Sequence, residues 1–361
     1  MFKIFHSHSP FRIFWFSVLV TVATLIGVSL GLGLDALFIA VILIIVEITF
    51  SFENAIINAK VLAKLSKFWQ NLFLTVGIVI AIFGMRIVFP IVIVMITTGL
   101  GWGQVVDLAF KSPEEYSHAL DDAHPQIAAF GGAFLLMLAL HFFFDDKREV
   151  LWIKKVEKWF QRNATGWAPA VISLLIISIL ALLPFNTHKL DTFVAGSIGI
   201  ITYSALQLLI HIFERLKAKS DRRQSASTRM LKQTGVVAFT SFIYLEILDA
   251  SFSFDSVVGA FAITTDVVLI AAGLGVGAVW VRSLTVFMVR RGTLNSYKYL
   301  EHGAHYTVLV LATILLTGIF LHVPEVIAGG IGLVLIGTAI VSSRKDKKRV
   351  VIKPSRHIHS R

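Results

Sequence analysis

Long apolar runs dictate what this chain can become. Ten stretches of about twenty residues are dominated by Ile, Leu, Val, Phe, Ala and Gly. They lie near 13–33, 36–57, 71–98, 127–144, 168–184, 191–213, 235–257, 264–289, 304–321 and 325–343. A helical run of that length crosses the roughly 30 Å hydrocarbon core of a bilayer. Lipid offers no partner to a bare N–H or C=O, so the runs must be helices. The sequence thus predicts an all-α polytopic membrane protein with about ten transmembrane helices. One transmembrane domain covers 13–343, with cytoplasmic tails at 1–12 and 344–361. At 56% hydrophobic, 15% charged and a mean hydropathy of +0.79, the composition excludes an ordinary soluble enzyme. The first run follows Lys3 and Arg12, is longer than a signal-peptide core and lacks a small-x-small cleavage site, so it is expected as a retained anchor. Only Gly31–Asp35 joins it to the second run, which requires a tight hairpin.

The net charge of +11 would suggest nucleic acid in a soluble chain. Here 29 of the 33 Lys and Arg residues fall in the tails and in alternate connections, near 58–70, 145–167, 214–234 and 290–303. That asymmetry places those segments and both termini on the cytoplasmic side of the membrane, with no role for nucleic acid. The connection near 99–126 is acidic and therefore expected outside. With no cysteine, thiolate metal sites and thiol catalysis are excluded.

Within this apolar background one motif occurs twice. Glu47-Ile48-Thr49-Phe50-Ser51-Phe52-Glu53-Asn54 aligns with Asp249-Ala250-Ser251-Phe252-Ser253-Phe254-Asp255-Ser256. The copies lie five runs apart in oppositely directed segments, which is the signature of an inverted repeat. Repeat one covers about 13–184 and repeat two about 191–343. Gly77 followed by Arg86 recurs as Gly273 followed by Arg282, and Gly132-Ala133 recurs as Gly303-Ala304.

Ionisable side chains inside a membrane cost several kcal/mol, so their default reading is functional. On a helix, Glu47, Ser51, Asn54 and Asn58 share a face, as do Glu246, Asp249, Ser253 and Ser256 in the second copy. Glu53 and Asp255 point off that face in an unbroken helix, so a locally unwound segment would be needed to turn all four acids toward one cavity. A carboxylate-rich oxygen cage built from Glu47, Glu53, Asn54, Asp249, Asp255 and Ser256 suits Mn²⁺, Mg²⁺ or Ca²⁺. Shared protons are the other candidate. Arg86 and Arg282 either balance these charges when the site is empty or bind an anionic substrate directly, and the bland reading has them pair with the acids only to tie helices together. Four acids against two arginines leave a negative surplus, which favours a cation.

Secondary candidates are Glu301, His302 and His305 at the start of the ninth run, and His141 with Asp145 and Asp146 at the end of the fourth. His-Glu-x-x-His is absent, as is the Gly-x-x-x-x-Gly-Lys-Ser/Thr phosphate loop, and no nucleophile–base arrangement is recognisable, so the chain is not expected to be an enzyme. The basic run from Arg344 to Arg349 is suited to anionic headgroups.

Ser51-Phe52-Glu53-Asn54 and Phe252-Ser253-Phe254-Asp255-Ser256, with Glu47 and Asp249 six residues before each acid, resemble the TerC family of bacterial membrane proteins. So does Glu301-His302-Gly303-Ala304-His305. The resemblance covers roughly 35–320, and is nearest to a TerC-related subfamily of unknown function. It implies membership of the LysE-type exporter superfamily, an association with tellurium resistance and, as in characterised relatives, Mn²⁺ efflux. Glu47, Glu53, Asn54, Asp249 and Asp255 would then be the ligands of a transported ion, with no permanently bound cofactor. Glu53 stands where the family motif usually has Asp, which puts manganese itself in less secure a position than a divalent cation. The expected partners are the lipid bilayer and the ion; a homo-oligomer is left open. The alternative function is a non-transporting subunit of a stress-response or membrane-assembly complex, acting through 145–167 and 214–234.

Overall fold

A computed structural model describes residues 10–221, 235–261, 263–321 and 325–352, and among them the chain is helical with no strand. Its helices are α1 (Pro10–Leu32), α2 (Leu34–Phe50), α3 (Phe52–Lys64), α4 (Lys67–Val79), α5 (Phe89–Thr98), α6 (Trp102–Lys111), α7 (Pro113–Phe143) and α8 (Lys154–Arg162). They continue with α9 (Ala168–Leu182), α10 (Lys189–Asp221), α11 (Gly235–Phe261), α12 (Val267–Arg291), α13 (Thr293–Ser296), α14 (Leu300–Gly318) and α15 (Glu325–Ile352). A π-helical segment, Ile80–Val88, joins α4 to α5.

Six helices among the described residues are long and apolar enough to cross a membrane, or seven if the bent α2–α3 pair is one crossing. The six are Ile13–Leu32, Lys67–Ile96, Pro113–Phe143, Lys189–Ile212, Val267–Arg291 and Leu300–Gly318. The other expected runs coincide with α9, α11 and α15. At 15 residues α9 is about 22 Å long, short of a full crossing. Parts of α11 and α15 carry side chains that are not described, so ten crossings remain an expectation.

Sequence explains the breaks. Gly33, at φ 92°, adopts a left-handed conformation that strains other residues, and it turns α1 into α2 as the hairpin expectation required. Pro90 has no N–H for the carbonyl of Arg86, and the π segment lies just ahead of it. Between α2 and α3 the axis bends by 50° at Ser51. The backbone bonds persist through the bend, from Ser51 N–H to Glu47 O at 3.0 Å and from Ala55 N–H to Ser51 O at 3.1 Å. The first motif is therefore kinked, not unwound, and α11 carries the second motif without a break.

The buried centre is α7, packed against α10, α14 and α11 through Phe134, Leu135, Tyr203, Leu248, Val308 and Leu315. Across from it, α12 lies against α2 and α3, and α1 closes the outer side of α12. Ser17 on α1 shares a 2.8 Å hydroxyl contact with Ser283, and the Trp280 indole donates to Thr21 at 2.9 Å. Small residues allow the closest approaches. A Cβ on Gly273 would stand 2.6 Å from Leu43 Cβ, and one on Gly132 2.8 Å from Leu316. In lipid, where burial gives helices no hydrophobic gain over acyl chains, such contacts drive association.

Candidate functional site

The two motifs meet where α2–α3, α11 and α12 converge. Glu47 is 1% exposed, and its Oε1 accepts from Arg86 and, at 3.1 Å, from the Ser51 hydroxyl. The π segment supplies Arg86, whose second terminal nitrogen donates to Ala81 O at 2.6 Å. On the other side, Arg282 from α12 grips Glu246 with two bonds of 3.1 and 3.0 Å, and Asp249 with one of 3.2 Å. Its Nη1 also donates to Phe73 O at 3.2 Å, with the guanidinium 4.2 Å from the Phe73 ring centroid, while Nε has no partner. Both arginines are thus charge-balanced within their own half of the chain.

Among the described side chains, one polar bond crosses between the motifs. Asn54 Nδ2 donates to Asp249 Oδ1 at 2.7 Å. Three other buried oxygens receive no hydrogen bond: Glu47 Oε2, Asn54 Oδ1 and Asn58 Oδ1. Main chain forms part of the wall. A Cβ on Gly277 would fall 2.5 Å from Glu47 Cβ and Cγ, and one on Gly77 would meet the Arg282 guanidinium and stand 2.9 Å from Glu246 Oε1. A small cleft lined by Pro90, Ala109, Phe110, Tyr116 and Val267 reaches Arg86 from the α5–α6 end.

The four carboxylates expected around a single point are not gathered there. Glu53 is buried, but its helical offset from Glu47 carries it toward α15, where a Cβ on Gly332 would be 3.9 Å from Glu53 Oε2. Ser256 is buried. The side chains of Asp255 and Ser253 lie outside the described residues, as do the connection 222–234 and the tails at 1–9 and 353–361. Among the described residues no three His, Asp or Glu side chains form a group able to hold a metal ion. Glu246, expected only as an extension of the second face, is instead the bidentate partner of Arg282.

A second polar cluster forms at the start of α14, and it does not have the expected shape. His302 and His305 do not share a ligand. His302 Nδ1 lies 3.1 Å from Glu157 Oε2, whereas His305 donates to Glu301 O at 2.8 Å and stacks on Phe142 at 3.7 Å. Glu301 pairs with Lys60. Glu157, on α8, is 0% exposed and also accepts from Ile153 N–H at 3.1 Å, with Arg148 Nη2 at 3.6 Å. Burial alone would raise the Glu157 pKa, but the His302 hydrogen bond and charge, the Ile153 amide and Arg148 together hold it below the usual carboxylate range. His141 sits edge-on to Tyr203. Sequence reasoning missed Glu157 because a lone acid among Lys154, Lys155, Lys158 and Arg162 reads as a solvated residue.

Residues 52–350 match the family model described as protein of unknown function, DUF475. The chain belongs to this family. The matched region takes in Glu53, Asn54, both arginines, the whole second motif and α8, while Glu47 precedes it. No curated protein and no solved structure matches the chain.

Proposed function

We propose that this DUF475 protein is a secondary transporter exporting a divalent metal ion, with manganese favoured, by alternating access of two inverted repeats at the Glu47–Asp249 centre. The observation that carries the reading is the set of buried oxygens without donors: Glu47 Oε2, Asn54 Oδ1 and Asn58 Oδ1. An unmet buried acceptor costs about 1–3 kcal/mol, more when charged. Cation coordination would repay that cost with oxygen ligands of the kind hard divalent ions prefer. Manganese specifically rests on the resemblance of the paired motifs to the TerC family.

Matched pairings support the duplication. Glu47 meets Arg86 in the first half as Asp249 meets Arg282 in the second, with the same motif register in both. Gly77 abuts the acid-bearing α11, and its counterpart Gly273 abuts α2. The third match does not extend this relation: Gly132 packs on α14, whereas Gly303 packs on Ala339 of α15. In the empty carrier the arginines hold the carboxylates neutralised; a bound cation would displace them. The small cleft that reaches Arg86 from the α5–α6 end supports an approach to the centre from that end. In this reading the protein is a multi-pass plasma-membrane protein with both termini cytoplasmic and ten crossings.

A non-transporting assembly role is favoured by one observation. Glu47, Glu246 and Asp249 are all arginine-paired and would hold the helices together without any ion. Uptake into everted vesicles of Mn²⁺, Mg²⁺, Ca²⁺ and Zn²⁺ separates the two. Accumulation of one cation, lost in Asp249→Asn and Glu53→Gln with the protein still in the membrane, supports transport. No movement of any of the four by folded wild type would leave the assembly role.

A further inference from the structure

The connection between α7 and α9 contains a face that the transport reading does not use. On α8, Lys154, Lys158 and Arg162 stand four residues apart and form one exposed basic stripe, with Lys155 beside it. Val156 and Trp159 form an adjacent stripe and are 43% and 59% exposed. Trp167, at the start of α9, is exposed as well. Water would hydrate the basic stripe but gains nothing from the apolar one, so solvent alone does not account for the pair.

The depth of α8 is set by its third side. Glu157 reaches His302, one turn inside α14, and Phe160 stacks on Phe143 at the end of α7, ring centroids 5.6 Å apart. The helix is therefore tied to the ends of two apolar helices, each long enough to cross a membrane, which is where a bilayer gives way to headgroups if they do cross it. Basic side chains with an indole and an aliphatic neighbour on the adjoining face are what that zone accepts.

We infer that α8 is an interfacial helix that binds anionic phospholipid. Lys154, Lys158 and Arg162 take the headgroup phosphates, while Val156 and Trp159 enter the acyl boundary. Charge complementarity selects the occupant, because four cations and no exposed acid lie on α8. The inference does not depend on what the Glu47–Asp249 centre carries.

The test uses full-length protein in phosphatidylcholine nanodiscs with increasing phosphatidylglycerol, either lipid brominated in its acyl chains. The Trp159 signal is the emission difference between wild type and Trp159→Phe. Brominated phosphatidylglycerol is expected to quench it at lower mole fraction than brominated phosphatidylcholine. In Lys154→Gln/Lys158→Gln/Arg162→Gln, that preference should fall by roughly fivefold for each charge removed. Equal quenching by the two lipids would overturn the headgroup assignment. Quenching by aqueous iodide but not by bromolipid would overturn the membrane assignment and point to a soluble protein on this face. The wild-type comparison needs no charge substitution, so it decides even if the triple variant fails to fold.

Discussion

Asn54 donates a 2.7 Å hydrogen bond to Asp249 across 195 positions of sequence, and so joins the two copies of one motif. Because the acceptor is a carboxylate, the bond contributes about 1.5–3 kcal/mol. Asn54→Ala removes it and an oxygen of the centre together. It is expected to lower the melting temperature of purified protein and to abolish cation uptake, whereas Asn54→Asp should restore the oxygen while repelling Asp249. Unchanged melting in Asn54→Ala would show that the two motifs are held together by packing alone.

Removing one partner of a buried ion pair leaves a charge with no counterion, at a cost of about 3–5 kcal/mol. Arg86→Ala strands Glu47 in this way and Glu47→Gln strands Arg86, so each single variant should destabilise the protein. The double variant Arg86→Met/Glu47→Gln should recover much of the loss. A double-mutant cycle on urea or thermal unfolding in detergent measures the coupling, and strict additivity would mean that the pair is not coupled.

Gly77 and Gly277 are places where a methyl group has nowhere to go. Gly277→Ala would drive a Cβ into Glu47 Cβ and Cγ, and Gly77→Ala into the Arg282 guanidinium. Each is expected to cost about 1–3 kcal/mol by overpacking. Gly337→Ala, where no atom lies within reach, serves as the control and should leave melting unaffected. Equal tolerance at all three positions would contradict the close packing.

Glu157 gives a pH dependence with a definite sign. Its pKa in the folded protein is held below the ordinary value of 4.5, so the protein gains stability above that value. This gain is lost as pH falls from about 4.5 through the lower folded pKa. Melting measured from neutral pH into that acid range should drop more steeply for wild type than for Glu157→Gln. Parallel curves would sever the link between Glu157 and the anchoring of α8.

Much of the fold was legible because lipid permits so few solutions. Apolar length alone located the helices, and Gly31–Asp35 located the first hairpin. The duplicated motif located the charged centre, since an acid in such surroundings needs a partner, and Arg86 and Arg282 were the only Lys or Arg residues inside the runs. Three-dimensional direction was not legible. Six residues of α-helix rotate Glu53 by about 240° from Glu47, and a 50° bend that keeps its hydrogen bonds does not undo that rotation. Nor could sequence show that the helix breaks in the first copy and runs on through the second, because Phe-Ser-Phe is common to both. Glu157 was invisible for a different reason: its partner His302 lies 145 positions away and on another helix.

Both acid–arginine pairs of the centre are closed within one half of the chain, Glu47 with Arg86 and Asp249 with Arg282, and among the described side chains the two motifs are linked by a hydrogen bond. Parting the two motifs therefore separates no opposite charges. In a medium of low dielectric constant, pulling an ion pair apart is the most expensive motion available to a side chain. At this centre each acid keeps its own arginine whether or not the motifs touch, and the charged contacts that do join the two halves, Lys60 with Glu301 and Glu157 with His302, stand apart from it at the start of α14.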